Sequence, residues 1–298
     1  MSDIKNTVRV RVPASSANLG PGFDCFGIAW QLYDELEFSF SGDGLEISGC
    51  PEKYQSSENL AYRGFEAVRA AAGAAEKPLK ICFLSSDIPV SRGLGSSAAL
   101  IAGGAVAANA MYALGLSRQE LLDIVTPLEG HPDNLAPCFF GGFTASTMAN
   151  GKALTAPYPL SDKLRFTVIV PDFELSTHES RAVLPQSVPR VDAVFNVSRA
   201  ALLIKALETG DRGLLSPCLE DKLHQPFRFP LIKGSDTAAA LAKLMGAWGF
   251  CISGAGSTLL CISDDDELAD RLRPAVADAL PGWRVLSVLP ETEGCTVC

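Results

Sequence analysis

The chain has 298 residues, of which 47% are hydrophobic and 20% charged, so it can form two domains with a sizeable core. The net charge of −9, with no cluster of Lys and Arg to offset it, argues against nucleic acid as a partner. No apolar run approaches the roughly 18 residues that span a bilayer, and the N-terminus lacks a signal segment, so we expect a cytoplasmic protein without membrane association. The nine scattered cysteines form no zinc pattern and are expected to be free thiols.

The first predicted strand covers residues 8–12, where apolar and basic side chains alternate. Residues 13–24 follow, and they are too rich in Gly, Pro and Ser to be regular structure. Such a segment can be an ordinary loop, but a loop of this length in a compact domain is more often functional. A second alternating strand is predicted over residues 29–40, followed by a turn at 42–44.

Three elements are predicted in the next part of the chain. A helix over residues 60–72 is followed by a short, buried strand over residues 79–84. A second helix, rich in Ala, Leu and Met, is predicted over residues 96–114, with Ser96 or Ser97 as its N-cap.

Two glycines, Gly93 and Gly95, stand between this strand and the second helix. Glycine permits positive φ and lets a ligand approach the backbone, and the helix start adds N–H groups and a favourable dipole. The segment therefore favours a phosphate-binding loop, with a tight turn before a core helix as the alternative. A Walker A loop does not fit because no Lys follows Gly95, and a dinucleotide fold does not fit because another helix is predicted over residues 118–125.

Four chemically active side chains then occur close together: Glu129, His131, Asp133 and Asn134. They can form a polar loop that caps the next helix, or a metal site, although the i, i+4 spacing of a helical zinc site is missing. They can also serve phosphoryl transfer, which needs a Mg²⁺ ligand and groups that orient a hydroxyl. Glu129 suits the ligand, because Mg²⁺ prefers carboxylate and phosphate oxygens. Whether Asp133 is a general base stays open, because a carboxylate of pKa about 4 is a weak base for an alcohol.

The second half of the chain is expected to begin after an irregular segment at residues 149–161, which contains two prolines. Ser263 is predicted to cap a late helix with an acidic first turn, and the C-terminal tail is expected to be frayed. The other predicted elements are strands over residues 166–170, 250–253, 258–262 and 283–289, and helices over residues 193–207 and 237–248.

Residues 89–98 match, without a gap, the pattern Pro-x-x-x-Gly-Leu-Gly-Ser-Ser-Ala, and on this basis the chain resembles the GHMP kinases, whose ATP-phosphate loop has that pattern. Residues 16–24, Ser-Ala-Asn-Leu-Gly-Pro-Gly-Phe-Asp, resemble a block that is typical of the homoserine kinases within that family. The remaining similar blocks are residues 129–142, residues 176–185 with Ser180 in place of Ala, residues 221–228 with Phe227 in place of Tyr, and the glycine loop at 253–257.

The resemblance implies an α/β (α+β) protein with the GHMP kinase fold. Its ribosomal-S5-like N-terminal domain, residues 1–155, would bind ATP and Mg²⁺, and residues 156–298 would form a ferredoxin-like αβ domain. It implies phosphorylation of the L-homoserine hydroxyl by ATP to give O-phospho-L-homoserine, a step of threonine biosynthesis. The alternatives are a GHMP kinase for another small alcohol and a non-catalytic nucleotide-binding regulator; a homodimer is left open.

The resemblance also implies the site residues. The residues near ATP would be Asn59, Pro89, Val90, Ser91, Arg92, Gly93, Leu94, Gly95, Ser96, Ser97 and Ala98. The residues near the substrate would be Asn18, Asp24, His131, Asp133, Thr177, Arg181, Arg228 and Gly254. The catalytic residues would be Glu129, Asp133, Asn134 and Arg181, and the Mg²⁺ ligands would be Ser97 and Glu129.

A homoserine site must hold a zwitterion, which has both an ammonium and a carboxylate. Asp24 and Asp133 can meet the ammonium, and Arg181 and Arg228 can meet the carboxylate well apart from these acids, because guanidinium binds carboxylate bidentately. His178 is expected to lie at the surface. His224 is expected to be structural.

Overall fold

The computed structural model describes residues 5–298, and the first four residues, on which the expectation of no signal segment partly rests, lie outside that range. The chain begins with two long antiparallel strands, β1 (Thr7–Ala17) and β2 (Phe26–Ser39). The prediction that irregular structure begins at residue 13 was wrong, because a β-bulge at Pro13/Ala14 accommodates the proline and the pairing continues to Ala17.

These two strands lie in a seven-stranded sheet with the order β11-β1-β2-β4-β3, to which a β5–β6 hairpin is joined through β2. Two predictions were wrong here: residues 149–161 are largely strand, and the tail is not frayed, because β11 pairs with β1. The other strands of this sheet are β3 (Leu45–Ser48), β4 (Leu79–Ser86), β5 (Phe143–Ala149), β6 (Lys152–Tyr158) and β11 (Thr296–Val297).

Four helices accompany this sheet: α1 (Leu60–Ala71), α2 (Ser96–Met111), α3 (Arg118–Glu129) and α4 (Leu135–Phe140). The predicted burial of α2 is confirmed. Its Gly104 lies so close to α1 that a Cβ there would overlap the carbonyl oxygen of Ala61. Helix α3 is longer than predicted, since it continues through Pro127 to Glu129.

The second half of the chain forms a four-stranded antiparallel sheet with the order β10-β7-β9-β8, which is the strand order of a ferredoxin-like domain, as the resemblance implied. Its strands are β7 (Arg165–Val170), β8 (Gly249–Ile252), β9 (Leu259–Ser263) and β10 (Arg284–Val288). Its helices are α5 (Thr177–Ala182), α6 (Arg190–Thr209), α7 (Arg212–Cys218), α8 (Gln225–Arg228), α9 (Ser235–Leu244) and α10 (Leu268–Ala279).

Helix α10 begins later than predicted. Ser263 is the last residue of β9, and the residue that caps the helix is Glu267, so the acidic run precedes the helix instead of forming its first turn. Short 3₁₀ helices cover Glu52–Tyr54 and Phe229–Leu231.

One continuous hydrophobic core links the larger sheet, helices α1 to α4 and part of the second half, and a smaller cluster lies under α9 and α10. Residue 155, the predicted end of the first domain, lies inside β6, whose hairpin belongs to the larger sheet, so we propose a division after Tyr158. All nine cysteines are free, as predicted. Across residues 5–298, no helix combines the length and the apolar character needed to cross a membrane.

Candidate active site

A cavity of about 560 Å³ lies between the phosphate loop, the loop after α3 and the α5–α8 region. Every predicted site residue except Leu94 and Ala98 lines it; those two are fully buried and pack in the core. The predicted residues that it brings together are Asn18, Asp24, Asn59, Pro89, Val90, Ser91, Arg92, Gly93, Gly95, Ser96, Ser97, Glu129, His131, Asp133, Asn134, Thr177, Arg181, Arg228 and Gly254.

The phosphate loop has the backbone conformation that its glycines permit. Gly93 and Gly95 have φ of 79° and 68°, and a Cβ on Gly95 would overlap the hydroxyl oxygen of Ser15. The predicted serine cap was wrong, because Gly95 is the N-cap of α2 and, among residues 5–298, no side chain caps this helix end. Ser96 and Ser97, the first residues of α2, line the cavity, so the helix start lies at the cavity without a side-chain acceptor from the described residues, which suits a phosphate.

The glycine loop between β8 and β9 packs against the phosphate loop, as the resemblance implied. Ser253 donates a hydrogen bond through its hydroxyl to the carbonyl oxygen of Gly93 at 2.5 Å, and Thr258 N–H donates to the carbonyl of Arg92 at 2.8 Å. The Arg92 guanidinium bonds carbonyl oxygens of Pro171 and Asp172, at 3.2 and 2.9 Å. The second domain thus fixes the shape of the loop from behind.

Ser97 and Glu129 meet across the cavity, with Ser97 Oγ donating to Glu129 Oε1 at 2.7 Å. Glu129 is the last residue of α3, and burial raises the pKa of its carboxyl group. Within residues 5–298 no Lys or Arg forms a salt bridge with Glu129. A half-buried carboxylate next to a hydroxyl is a donor set that fits a hard cation such as Mg²⁺.

Asp133 lies on the floor of the cavity, with an exposed fraction of 1%. Its Oδ1 accepts the N–H of Asn134 at 2.9 Å and is hydrogen-bonded to His131 Nδ1. Burial alone would lower the pKa of His131, but the hydrogen bond and charge of Asp133 raise it. Asn134 is held in turn by Ser15, whose Oγ donates to Asn134 Oδ1 at 3.0 Å.

Asp24 and Arg181 form a bidentate ion pair at 2.7 and 3.1 Å, so the predicted wide separation of acid and base was wrong for this pair. Both side chains are about one-third exposed, and opposite charges at this range pair with each other. Asn18 holds the acid in place, because its Oδ1 accepts the N–H of Asp24 at 2.9 Å and its Nδ2 donates to the carbonyl of Gly254 at 2.7 Å. Thr177 is exposed at the start of α5.

The second arginine, Arg228, differs from Arg181 because it is only 1% exposed and is paired with no carboxylate within residues 5–298. Its Nε donates to the carbonyl of Ser180 and its Nη1 to the carbonyl of Gly254, both at 3.2 Å. Burial, together with the positive charge of Arg181, lowers the pKa of Arg228 to about 10. A buried, uncompensated guanidinium at a cavity wall favours an anionic ligand.

Sequence reasoning missed two residues that organise this cavity. Ser15 links the phosphate loop to Asn134, and its neighbourhood in the Gly/Pro/Ser-rich block was the only signal in the sequence. Asp34, on β2, is 3% exposed and accepts the N–H of Ile88 at 3.0 Å, and burial raises its pKa to about 6. A lone acid on the buried side of an alternating strand could have pointed to it.

Asn59, which the sequence places near ATP, lines the cavity at the start of α1. Asn59 caps α1, since its Oδ1 accepts the N–H of Ala61 at 2.9 Å, and its Nδ2 donates to the carbonyl of Tyr54 at 2.8 Å. The lining residues of the whole cavity that the sequence did not suggest are Asp34, Cys50, Pro51, Tyr54, Glu58, Leu60, Phe83, Ser86, Ile88, Leu100, Leu175, Ala255 and Gly256.

Sequence models of the GHMP kinases N terminal domain and the GHMP kinases C terminal domain match residues 59–142 and 203–282. The homoserine kinase of Clostridium botulinum strain Eklund 17B is 38% identical over 292 residues, which are 97% of this chain and 98% of that protein. The chain belongs to the GHMP kinase family. Within that family, its full-length likeness is to homoserine kinases.

Solved structures agree with this assignment. The homoserine kinase of Cytophaga hutchinsonii superposes on this GHMP kinase with a TM-score of 0.88 and 26% identity, covering all of this chain and 99% of that one. A putative homoserine kinase from Listeria monocytogenes has a TM-score of 0.81 and 30% identity, with 98% and 99% coverage. The GHMP kinases use ATP as their phosphoryl donor, and this agrees with the prediction of a phosphate-binding loop at the cavity.

Proposed function

We propose that this GHMP kinase is a homoserine kinase, which transfers the γ-phosphoryl group of ATP to the side-chain hydroxyl of L-homoserine. The observation that carries the proposal is the charge distribution of the cavity. Two aspartates, Asp24 and Asp133, and two arginines, Arg181 and Arg228, line the same space as the phosphate loop. An acceptor with one positive and one negative group fits this lining better than a sugar, which has neither charge, or mevalonate, which lacks the amine.

In the proposed reaction the triphosphate lies on the backbone N–H groups at the start of α2, where the helix dipole favours it. Ser97 and Glu129 would hold Mg²⁺, which when bound offsets the negative charge on the transferring phosphoryl group. The hydrogen bond from the Ser253 hydroxyl, in the β8–β9 loop, to the carbonyl oxygen of Gly93 holds the phosphate loop in place. Little reorganisation of that loop is therefore needed when the phosphoryl group is transferred.

The acceptor hydroxyl would be oriented by Asn134, whose side chain Ser15 holds in place. We assign Asp133 to the substrate ammonium instead of proton abstraction, because its Oδ1 already accepts the Asn134 N–H and bonds His131. Carboxylate oxygens of Asp24 and Asp133 lie within 4.8 Å of each other, which lets both acids contact a single ammonium group. The hydroxyl proton would then leave through the γ-phosphate.

The experiment that tests the proposal measures ADP release with L-homoserine, mevalonate, galactose or shikimate as the only acceptor. We expect L-homoserine to be used with the highest kcat/KM, and an enzyme that prefers any other acceptor would overturn the assignment. We also propose that the reaction serves threonine biosynthesis in the cytoplasm, as the likeness to homoserine kinases implies.

A further inference from the structure

Arg228 contacts a histidine, His224, that takes no part in the proposed reaction. Arg228 Nη1 lies 3.3 Å from Nδ1 of His224, one helical turn before it, in addition to its bond to Gly254. Within residues 5–298, Arg228 Nη2 has no hydrogen-bond partner, and Arg228 lines the cavity. The guanidinium is thus held on its Nε and Nη1 sides, and its Nη2 side is left for a ligand.

His224 is itself held firmly. It is fully buried, its Nε2 lies 2.8 Å from the carbonyl oxygen of Gly20, and its ring stacks on Phe23 with centroids 5.2 Å apart. A carbonyl oxygen only accepts and a guanidinium only donates. The two contacts are therefore both satisfied by one form of the ring, the neutral imidazole with its proton on Nε2 and its lone pair on Nδ1.

We infer that neutral His224, protonated on Nε2, is a positioning residue that aims Arg228 at the carboxylate of the substrate. The inference rests on the proposed function, since it gives Arg228 the substrate carboxylate as its ligand. A protonated ring would place an Nδ1–H against an Nη1–H, so two donors would face each other and the arginine would be displaced.

The surroundings of His224 keep it neutral. Burial lowers its pKa, and the nearest acid, Asp221, is already used by other donors. Asp221 accepts the backbone N–H groups of Leu223, His224 and Gln225 at 2.6 to 3.0 Å, and the side-chain amide of Asn196 at 2.6 Å. The aspartate therefore organises the start of α8, and the distance of 3.7 Å from its Oδ2 to His224 Nε2 is too long for a hydrogen bond.

Two substitutions separate the two contacts of the ring. In His224→Asn the amide oxygen can take the place of Nδ1 and still accept from Arg228, whereas in His224→Gln the amide nitrogen can take the place of Nε2 and still donate to Gly20. Both lose the stacking on Phe23, so they are matched for packing. We expect His224→Gln to raise the KM for L-homoserine by roughly tenfold, as for a lost hydrogen bond to a charged group, and His224→Asn by less than about threefold.

In neither variant should kcat or the KM for ATP change by more than about twofold, because the phosphate loop is untouched. A merely structural histidine would instead give KM changes that follow the loss in melting temperature, with His224→Asn no better than His224→Gln. That outcome overturns the inference. If wild-type protein does not phosphorylate L-homoserine at all, the proposed function fails, and the tautomer is still tested by the measurement that follows.

A measurement on the wild-type protein covers the case in which the variants do not fold. The chain has three histidines, so ring ¹⁵N chemical shifts can be assigned with His131→Asn and His178→Asn variants. We expect the third histidine to show a protonated Nε2 and an unprotonated Nδ1 at neutral pH. An Nδ1–H tautomer or an imidazolium ion would contradict the inference.

Discussion

Replacing Gly95 with Ala tests the connection between the phosphate loop and Asn134. Gly95 has a φ of 68°, a region that residues with a side chain rarely adopt. The new Cβ would overlap Ser15 Oγ and lie 3.0 Å from Asn134 Oδ1. Ser15 must move, and its hydrogen bond to Asn134 must then lengthen or break.

The magnitude follows from two costs. A residue with a Cβ in the left-handed region costs about 1–2 kcal/mol, and the lost hydrogen bond costs about 0.5–1.5 kcal/mol. We therefore expect Gly95→Ala to lower the free energy of unfolding by about 1.5–3.5 kcal/mol. Because Asn134 would no longer be held, we also expect kcat to fall at least tenfold, which corresponds to about 1.4 kcal/mol in the barrier.

Urea unfolding and steady-state kinetics measure the two effects, and Gly115→Ala is the matched control. Gly115 has a φ of 69°, but a Cβ there would meet nothing within 4 Å among residues 5–298, so Gly115→Ala should cost the strain alone and leave kcat unchanged. If the two glycine variants were equally stable and equally active, the reasoning would be refuted.

Three further predictions concern acids of the cavity. Glu129→Ala should lower kcat by at least about a hundredfold with little change in the Kd for ATP, and a fall within tenfold would exclude Glu129 as the metal ligand. Asp24→Asn should lower kcat/KM for homoserine more than for 4-hydroxybutyrate, which lacks the amine; equal losses would mean that Asp24 does not hold the ammonium. The raised pKa of Asp34, about 6 against an ordinary 3.8, favours its protonated form in the folded state, so its contribution to stability is complete below pH 4 and is lost as the pH rises through 6. The difference in free energy of unfolding between Asp34→Asn and wild type, measured with urea, should therefore shift by about 2.4 kcal/mol in favour of the variant between pH 4 and pH 7. A pH-independent difference would show that Asp34 does not titrate as proposed.

The sequence predicted the part of the cavity lining that lies in contiguous motifs. For the block from Pro89 to Ala98, the glycines and the following helix start predict the local backbone conformation without knowledge of distant contacts. The strand order of the second domain also followed from the resemblance that these motifs established.

The remaining features depend on contacts between distant parts of the chain, and no local pattern reports them. Val297 pairs with Val10, so the C-terminal tail is ordered because it adds to the first strand of the sheet. Ser15 acquires its role only when α4 brings Asn134 next to it. The direct pairing of Asp24 with Arg181 similarly joins residues 157 positions apart, and residue types alone could not show whether they would be neighbours.

The central claim is that this cavity selects an alcohol that carries both charges and phosphorylates it. The most direct measurement is a competition in one reaction mixture, with Mg²⁺ and ATP and equal concentrations of L-homoserine, 4-hydroxybutyrate, 3-aminopropan-1-ol and mevalonate. Mass spectrometry then identifies the phosphorylated products. We predict that O-phospho-L-homoserine accounts for nearly all of the product, because only L-homoserine meets both the acids and the arginines. A mixture in which an acceptor with a single charge is phosphorylated as fast as L-homoserine would contradict the account.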